Sequence, residues 1–282
     1  MKTKNILGID IGGTNINAGI LKEGILSKVF SKEVNAKGSE ASVLNDLFSV
    51  IDEMIDSSID GIGIGVPGLI DFENEWVFDV VNIPSWKKIP LKKIIEAKYG
   101  LPVLINNDAN CFALGEFYFG KGKGYNSMVG LTIGTGLGSG LILNKKLYSG
   151  KYSGAGEFGM VPYLDHCYEY YASGQFFKNV YNTSGEVTFK NALNGDQQSI
   201  IMFEEMGKHL GNAIKMIQYA LDVEIIIIGG SVRHAFPFFS RPILKQLESF
   251  VFTKSIEGLK IEVSELENAG ILGAASLFMD SK

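Results

Sequence analysis

The chain has 282 residues, of which 46% are hydrophobic and 20% charged; its formal net charge is −5, and 34 residues are glycine. These values are those of a folded chain with one large or two medium domains, and they exclude a disordered or collagen-like protein. The negative charge argues against nucleic-acid binding, and two cysteines can form neither a disulfide framework nor a cysteine-rich zinc site.

The predicted elements alternate between strands and helices along the chain. In chain order, the sequence predicts strands at 6–11 and 18–21, a helix at 43–55, a strand at 59–67, a helix at 91–99, a strand at 102–105, a helix at 110–119, strands at 128–133 and 140–143, a helix at 200–221, a strand at 225–228 and a helix at 271–278. The strand at 225–228 is wholly apolar, as expected for a strand buried on both faces. This alternation is typical of the α/β class.

Two turns rich in glycine and threonine repeat one arrangement about 120 residues apart. The segments Ile9–Thr14 (IDIGGT) and Thr132–Leu137 (TIGTGL) both follow a strand and precede a return strand. Their separation is close to one domain length. We therefore expect two α/β halves with a cleft between them: a small N-terminal domain of residues 1–117 plus 268–282, and a larger C-terminal domain of residues 118–267.

Two further glycine patterns resemble nucleotide-binding motifs without meeting their requirements. Gly63–Gly68 fits GxGxxG, but its glycines alternate inside a strand and no helix follows, which argues against NAD binding. The segment is either a strand packed closely on one face or the start of a loop lining a substrate pocket. Gly115–Lys121 lacks the Ser/Thr of a P-loop and carries three bulky aromatic residues, so we interpret it as the exit of a helix.

The paired turns are better candidates for phosphate binding. Gly12–Thr14 and Gly134–Gly136 each offer consecutive backbone amides and one hydroxyl group. Consecutive amides in tight turns form concavities that bind anions. Asp10, just before the first turn, can hold Mg²⁺ directly or through water. The pattern predicts a nucleoside triphosphate site; two ordinary hairpins are the alternative.

Several motifs, in this order and at these separations, match one family over nearly the whole chain. They are DIGGTN at Asp10–Asn15, GVPGLID at Gly65–Asp71, NNDAN at Asn106–Asn110, GE at Gly115–Glu116, TIGTGLGSGLI at Thr132–Ile142, GEFG at Gly156–Gly159, EYYASG at Glu169–Gly174, IIIIGGSV at Ile225–Val232 and AGILGAA at Ala269–Ala275. The chain resembles the ROK sugar kinases, whose fold is the actin-like (ribonuclease H-like), hexokinase-like ATPase fold. The resemblance implies transfer of the ATP γ-phosphate to a sugar hydroxyl, with Mg²⁺ as cofactor.

The resemblance also implies roles for individual residues. Asp108 becomes the catalytic base, although Asp at this place can also cap the following helix. The implied sugar-binding residues are Gly68, Asn82, Asn107, Asp108, Glu157 and Glu169. The implied ATP-binding residues are Asp10, Gly12, Gly13, Thr14, Asn15, Gly134, Thr135, Gly136, Gly229, Gly230, Ser231 and Gly270, with Asp10 near Mg²⁺.

One segment departs from the family pattern. Many members carry a histidine after GEFG and a cysteine-rich run that binds zinc with it, whereas Met160 stands here and Cys167 is the one cysteine between Met160 and Glu169. Asp165, His166 and Cys167 are neighbours whose side chains would diverge in an extended segment, so we expect no zinc site. We also interpret His209 and His234 as helix-surface and loop residues without partners.

The leading hypothesis is therefore an ATP-dependent hexose kinase acting on a glucose-like sugar. An N-acetylmannosamine or N-acetylglucosamine kinase is the alternative, because some kinases of that type also lack the zinc site. A catalytically silent sugar-binding protein of the same fold is the third possibility. No stretch approaches the roughly 18 apolar residues of a membrane span, and the N-terminal apolar run is too short for a signal peptide. We expect a cytoplasmic homodimer that contacts neither membrane nor nucleic acid.

Overall fold

The computed structural model describes residues 4–281. The strands are β1 (Ile6–Ile11), β2 (Asn15–Lys22), β3 (Ile25–Glu33), β4 (Gly61–Val66), β5 (Leu69–Asp71), β6 (Trp76–Phe78), β7 (Lys88–Ile89), β8 (Val103–Asn107), β9 (Met128–Ile133), β10 (Leu137–Leu143), β11 (Lys146–Leu147), β12 (Pro162–Tyr163), β13 (His166–Cys167), β14 (Ile225–Gly229) and β15 (Lys260–Val263). The helices are α1 (Glu40–Met54), α2 (Leu91–Tyr99), α3 (Asp108–Phe119), α4 (Tyr168–Ala172), α5 (Phe176–Tyr181), α6 (Gly185–Leu193), α7 (Gln197–Leu221), α8 (Phe236–Leu247), α9 (Thr253–Gly258) and α10 (Ala269–Asp280). Short 3₁₀ helices span Phe158–Met160 and Ser231–Ala235.

The first compact unit extends to Gly124 and also takes in Gly140–Ala155 and the chain from Leu266 onward. Its main sheet has the order β3-β2-β1-β4-β8, in which β1, β4 and β8 are parallel and β2 pairs antiparallel with both β1 and β3. The carboxyl ends of β1 and β8 therefore lie at the same edge of the sheet. This register brings the chain after Asp10 and the chain after Asn107 to one edge.

Helix α10 packs closely against β1, β4 and α3. A Cβ atom at Gly63 would overlap the carbonyl oxygen of Ala274, and one at Gly273 would overlap that of Cys111. The alternating glycines of β4 thus let a helix backbone approach the sheet. The predicted strand packed closely on one face is observed, and this close approach accounts for Gly63, whereas Gly68 lies after β4 against the carbonyl oxygen of Phe78.

The second compact unit comprises Tyr125–Ser139 and Gly156–Glu265. In its sheet β14 lies between β9 and β15 and is parallel to both, and every residue of β14 is buried. The long helix α7 packs against α8, α4 and α6. The wholly apolar strand predicted at 225–228 is confirmed. The domain limits given above remain a prediction.

Strand β3 was absent from the predicted elements. It pairs with β2 at the edge of the first sheet, and most of its residues are exposed or half-buried. An edge strand with so little buried surface carries no clear alternation of apolar and polar residues. No helix within residues 4–281 combines the length and the hydropathy of a membrane span.

Candidate active site

The first glycine turn closes directly after β1. The Gly12 amide donates a hydrogen bond to the carbonyl oxygen of Asn15 (2.9 Å), and the side chain of Thr14 is exposed. A Cβ at Gly13 would lie 2.8 Å from Cβ of Asn82, so these two residues touch. A residue predicted to bind phosphate and one predicted to line the sugar pocket are therefore neighbours in the first unit.

Asp10 lies beside the N-terminal turn of α10. A Cβ at Gly270 would lie 2.6 Å from Oδ2 of Asp10, which brings two predicted ATP-binding residues into contact. Burial, and secondarily the charge of Asp108, raise the pKa of Asp10 from 3.8 to about 7. A cation near this carboxylate would favour its charged form and reverse the shift. The electrostatics of Asp10 are those of a group that lacks a positive partner.

The NNDAN motif forms the junction of β8 and α3. Asn107 is the N-cap residue of α3, and its Oδ1 accepts hydrogen bonds from the amides of Ala109 (2.9 Å) and Asn110 (3.4 Å). Asp108 is the first residue of the helix, and its Oδ1 accepts from the Ala109 amide at 2.9 Å. The alternative role of helix cap, considered for Asp108, thus belongs to Asn107. Burial raises the pKa of Asp108 above its usual value.

A buried network of polar side chains holds this junction. The Ser153 hydroxyl donates to Oδ1 of Asn106 (2.7 Å) and accepts from Nδ2 of Asn110 (3.2 Å) and from the amide of Asn107 (3.3 Å). The Asn107 side chain also donates to the carbonyl of Gly68 at 3.4 Å, which joins two predicted sugar-binding residues. Ser153 was not singled out from the sequence, since its role depends on contacts distant along the chain.

The second glycine turn connects β9 and β10 in the second unit. The Gly134 amide donates to the carbonyl of Gly136 (3.0 Å), and Oε2 of Glu169 accepts from the Leu137 amide (2.9 Å). A Cβ at Gly136 would lie 2.5 Å from that same oxygen. Gln175 donates to the other carboxylate oxygen of Glu169 at 3.3 Å. Glu169, predicted to bind sugar, is therefore in direct contact with a predicted phosphate turn.

A cavity of about 750 Å³ opens beside this turn. Gly134 and Thr135 line it together with Ser231, which begins the 3₁₀ helix after β14. Gly229 ends β14, and Gly230 has a positive φ of 78° and lies against the backbone of Ile133. The other walls include the aromatic side chains of Phe177, Phe189 and Phe203. The apolar walls beside the amide-rich turn suit a planar base and a phosphate chain.

His234 also lines this cavity, so its interpretation as an ordinary loop residue was incomplete. His209 lies on α7 with 16% of its side chain exposed, and its Nδ1 lies 3.2 Å from the hydroxyl of Tyr163. Burial lowers the pKa of His209 from its usual value. The expectation that His209 is a surface residue without a partner was wrong.

The segment that departs from the family pattern is covered by aromatic contacts. Tyr163 stacks on Tyr168 with ring centroids 4.3 Å apart, and His166 stacks on Tyr170 at 3.9 Å. Glu157 precedes the 3₁₀ helix Phe158–Met160, and its side chain is exposed. Among residues 4–281 no group of three or more His, Cys, Asp or Glu side chains is placed to hold a metal ion.

Several known proteins are similar to this chain in sequence and fold. A ROK family glucokinase from Streptomyces griseus, solved in complex with glucose and AMPPNP, superposes with a TM-score of 0.82 at 28% identity, covering 97% of this chain and 98% of that one. A glucokinase from Halalkalibacterium halodurans is 28% identical (98% of this chain, 96% of that protein), and an N-acetyl-D-glucosamine kinase from Pasteurella multocida is 29% identical (96% and 98%). A xylose repressor from Caldicellulosiruptor bescii is 29% identical over 97% of this chain and 77% of the repressor.

The protein has the actin-like, hexokinase-like α/β fold of the ROK sugar kinases. The ROK family model matches residues 6–281, and the chain belongs to the ROK family. The resemblance inferred from the motifs is thereby confirmed. The family contains both kinases and repressors, so membership by itself assigns neither a substrate nor catalysis.

Each of the two turns, taken by itself, offers groups that suit one part of MgATP. Carboxylate oxygens are ligands that Mg²⁺ prefers, and Mg²⁺ is usually held by one or two carboxylates together with substrate phosphates and water. Asp10 supplies one such carboxylate, so a larger cluster of acids is not required. The turn at Gly134 and its aromatic cavity have the polarity that a nucleotide needs.

Proposed function

We propose that this protein is an ATP-dependent kinase that phosphorylates a hydroxyl group of a glucose-like hexose. The observation that carries the proposal is that Asn107 and Asp108 have different roles at the start of α3. Asn107 satisfies the helix N-terminus, so Asp108 is not needed as the cap and its carboxylate can accept a proton. Its raised pKa makes it a stronger base than an ordinary aspartate.

The proposed reaction assigns one task to each group of residues. The sugar hydroxyl oxygen attacks the γ-phosphorus, its proton passes to Asp108, and ADP leaves with the electrons of the broken P–O bond. The backbone amides of residues 13–14 in the first turn and 135–136 in the second would bind phosphate oxygens. Asp10 would hold Mg²⁺, which would neutralise charge on the phosphates. Phosphoryl transfer depends mainly on such positioning and charge neutralisation.

In this proposal the residues that bind and select the sugar are Gly68, Asn82, Asn107, Glu157 and Glu169. Carboxylates that accept hydrogen bonds from sugar hydroxyls discriminate strongly, because a missing hydroxyl leaves a charged acceptor unpaired. Asn107 keeps only part of its hydrogen-bonding capacity for sugar, since its Oδ1 already caps α3. Its Nδ2 has a second proton that it can donate.

An N-acetylmannosamine or N-acetylglucosamine kinase is the second candidate. Met160 stands where many family members carry a histidine that contacts the sugar, and its side chain is 51% exposed. An apolar, exposed side chain at this place could contact the methyl of an acetamido group. The sequence similarity to an N-acetyl-D-glucosamine kinase supports the same candidate.

A coupled assay of ADP release over a panel of sugars tests the proposal. Glucose, mannose, N-acetylglucosamine and N-acetylmannosamine are each supplied with MgATP, and the sugar phosphate is confirmed by mass. We expect turnover with glucose as the best substrate. Preference for an acetamido sugar selects the second candidate. Sugar binding without ADP release would identify a catalytically silent member of the family, and the absence of both would contradict all three hypotheses.

A further inference from the structure

The glycine turn at residues 134–137 is held in place by the segment Glu169–Gly174. Besides the Leu137 amide, which donates to Glu169, the carbonyl of Thr135 accepts from the Ser173 hydroxyl (2.9 Å). The carbonyl of Gly134 accepts from the Gly174 amide (2.8 Å). Three positions of the turn are thus bonded to one short segment of chain. The conformation of the turn therefore depends on where that segment lies.

Both side chains in this contact have little freedom to move. Ser173 is completely buried, and its hydroxyl also accepts from the Gln175 amide at 3.2 Å. Glu169 is wedged against Gly136, where no room exists for a Cβ atom. A displacement of the Glu169 carboxylate must therefore move the turn or break its bond to Leu137.

We propose that Ser173 and Glu169 are positioning residues for the nucleotide turn, and that Glu169 couples sugar binding to nucleotide binding. The inference rests on the proposed function, which gives sugar hydroxyls to Glu169 and phosphates to the turn. The Glu169 carboxylate already accepts a hydrogen bond from the Leu137 amide. A sugar hydroxyl that donates to the same carboxylate would restrain the position of the carboxylate. Because coupling between two binding sites is reciprocal, bound sugar must raise the affinity for nucleotide by the factor by which nucleotide raises the affinity for sugar.

Calorimetric titration measures this coupling without turnover. The Kd of AMPPNP with Mg²⁺ is measured without sugar and at saturating glucose, with N-acetylmannosamine replacing glucose if glucose does not bind. For the wild-type protein we expect a ratio of about five or more, the lower end of typical coupling between sites. For Glu169→Gln we expect a ratio close to one. A variant that weakens AMPPNP binding by the same factor with and without sugar leaves this ratio unchanged.

Two further variants separate coupling from other effects. Glu157→Gln removes the same charge from the other proposed sugar ligand, so it should weaken glucose binding and keep the wild-type ratio. Ser173→Ala should weaken AMPPNP binding in the absence of sugar by about fivefold, the scale of one neutral hydrogen bond, with glucose affinity unchanged. Melting curves establish that each variant is folded.

The outcomes are distinguishable. The coupling is overturned if the wild-type ratio of Kd values is near one, or if Glu169→Gln keeps the wild-type ratio. It is also overturned if Glu157→Gln lowers the ratio as much as Glu169→Gln does. An unchanged AMPPNP affinity in folded Ser173→Ala overturns the positioning role, and this arm needs no sugar. Failure of wild-type protein to bind AMPPNP contradicts the proposed function itself, and the inference falls with it.

Discussion

Replacing Asp10 with asparagine should stabilise the protein at alkaline pH while removing the carboxylate that we propose to hold Mg²⁺. The pKa of Asp10 is raised from 3.8 to about 7 in the folded state. Well below pH 3.8 the carboxyl is protonated in both the folded and the unfolded chain, so its charge does not lower the free energy of unfolding. As the pH rises toward 7, the unfolded chain loses this proton while the folded chain keeps it, and stability falls.

The size of the effect follows from the shift. A rise of about three pKa units at ~1.36 kcal/mol per unit gives a cost of about 4 kcal/mol once the pH exceeds 7. Asparagine keeps the shape but carries no charge, and part of its own amide must be desolvated. We therefore expect Asp10→Asn to raise the free energy of unfolding by about 2–4 kcal/mol at pH 8, and by about 1 kcal/mol or less at pH 4.5.

Urea unfolding of wild type and Asp10→Asn between pH 4.5 and 8, without Mg²⁺ or nucleotide, measures this difference. Asp56→Asn is the control, because hydrogen bonds from Ser58 lower the pKa of Asp56 and its stabilising effect is present at neutral pH and lost in acid. The lowered pKa of Asp56 places its titration below pH 4.5, so the stability difference between that variant and wild type should stay nearly constant between pH 4.5 and 8. A difference for Asp10→Asn that is constant across the range, or a loss of stability at pH 8, would refute the reasoning.

Three further predictions concern packing, capping and metal content. Gly273→Ala should lower the free energy of unfolding by about 1–3 kcal/mol or more, because its Cβ would overlap the Cys111 carbonyl. Gly258→Ala is the control and should change stability little, because open space surrounds Gly258. Equal effects of the two substitutions would contradict this packing. Asn107→Ala should cost about 1 kcal/mol in chemical unfolding through loss of the α3 cap, and an unaffected midpoint would return the cap to Asp108. Elemental analysis should find no stoichiometric zinc, and chelation should leave the melting temperature unchanged; one zinc per chain would refute this reading.

The elements that could be predicted from the sequence are those with strong local signals. The apolar strand β14 and the turns after β1 and β9 lie where the patterns placed them. The junction at NNDAN was predicted less well. The helix was expected to begin at Asn110 but begins at Asp108, because Asn107 rather than Asp108 supplies the cap. Asn and Asp are nearly equal as caps, so the pattern could not choose between neighbours.

The residues that were missed act through contacts between distant parts of the chain. Ser153 reaches Asn106 across 47 positions, and Ser173 reaches Thr135 across 38. Ser173 lies within the EYYASG motif, but the motif alone does not indicate that its buried hydroxyl binds the carbonyl of Thr135. The partner of His209 likewise lies 46 positions away, at Tyr163. No local periodicity encodes such contacts.

The rate of sugar phosphorylation by Asp108→Asn is the measurement that tests the proposed function most directly. Asparagine keeps the shape and removes the base, while Asn107 still caps α3, so the fold and the Kd for sugar should change little. We predict that kcat on the best sugar of the panel falls by about 10²–10⁴, the scale of general-base catalysis, with a wild-type melting curve. A folded Asp108→Asn protein that keeps near-normal kcat would contradict the proposed mechanism.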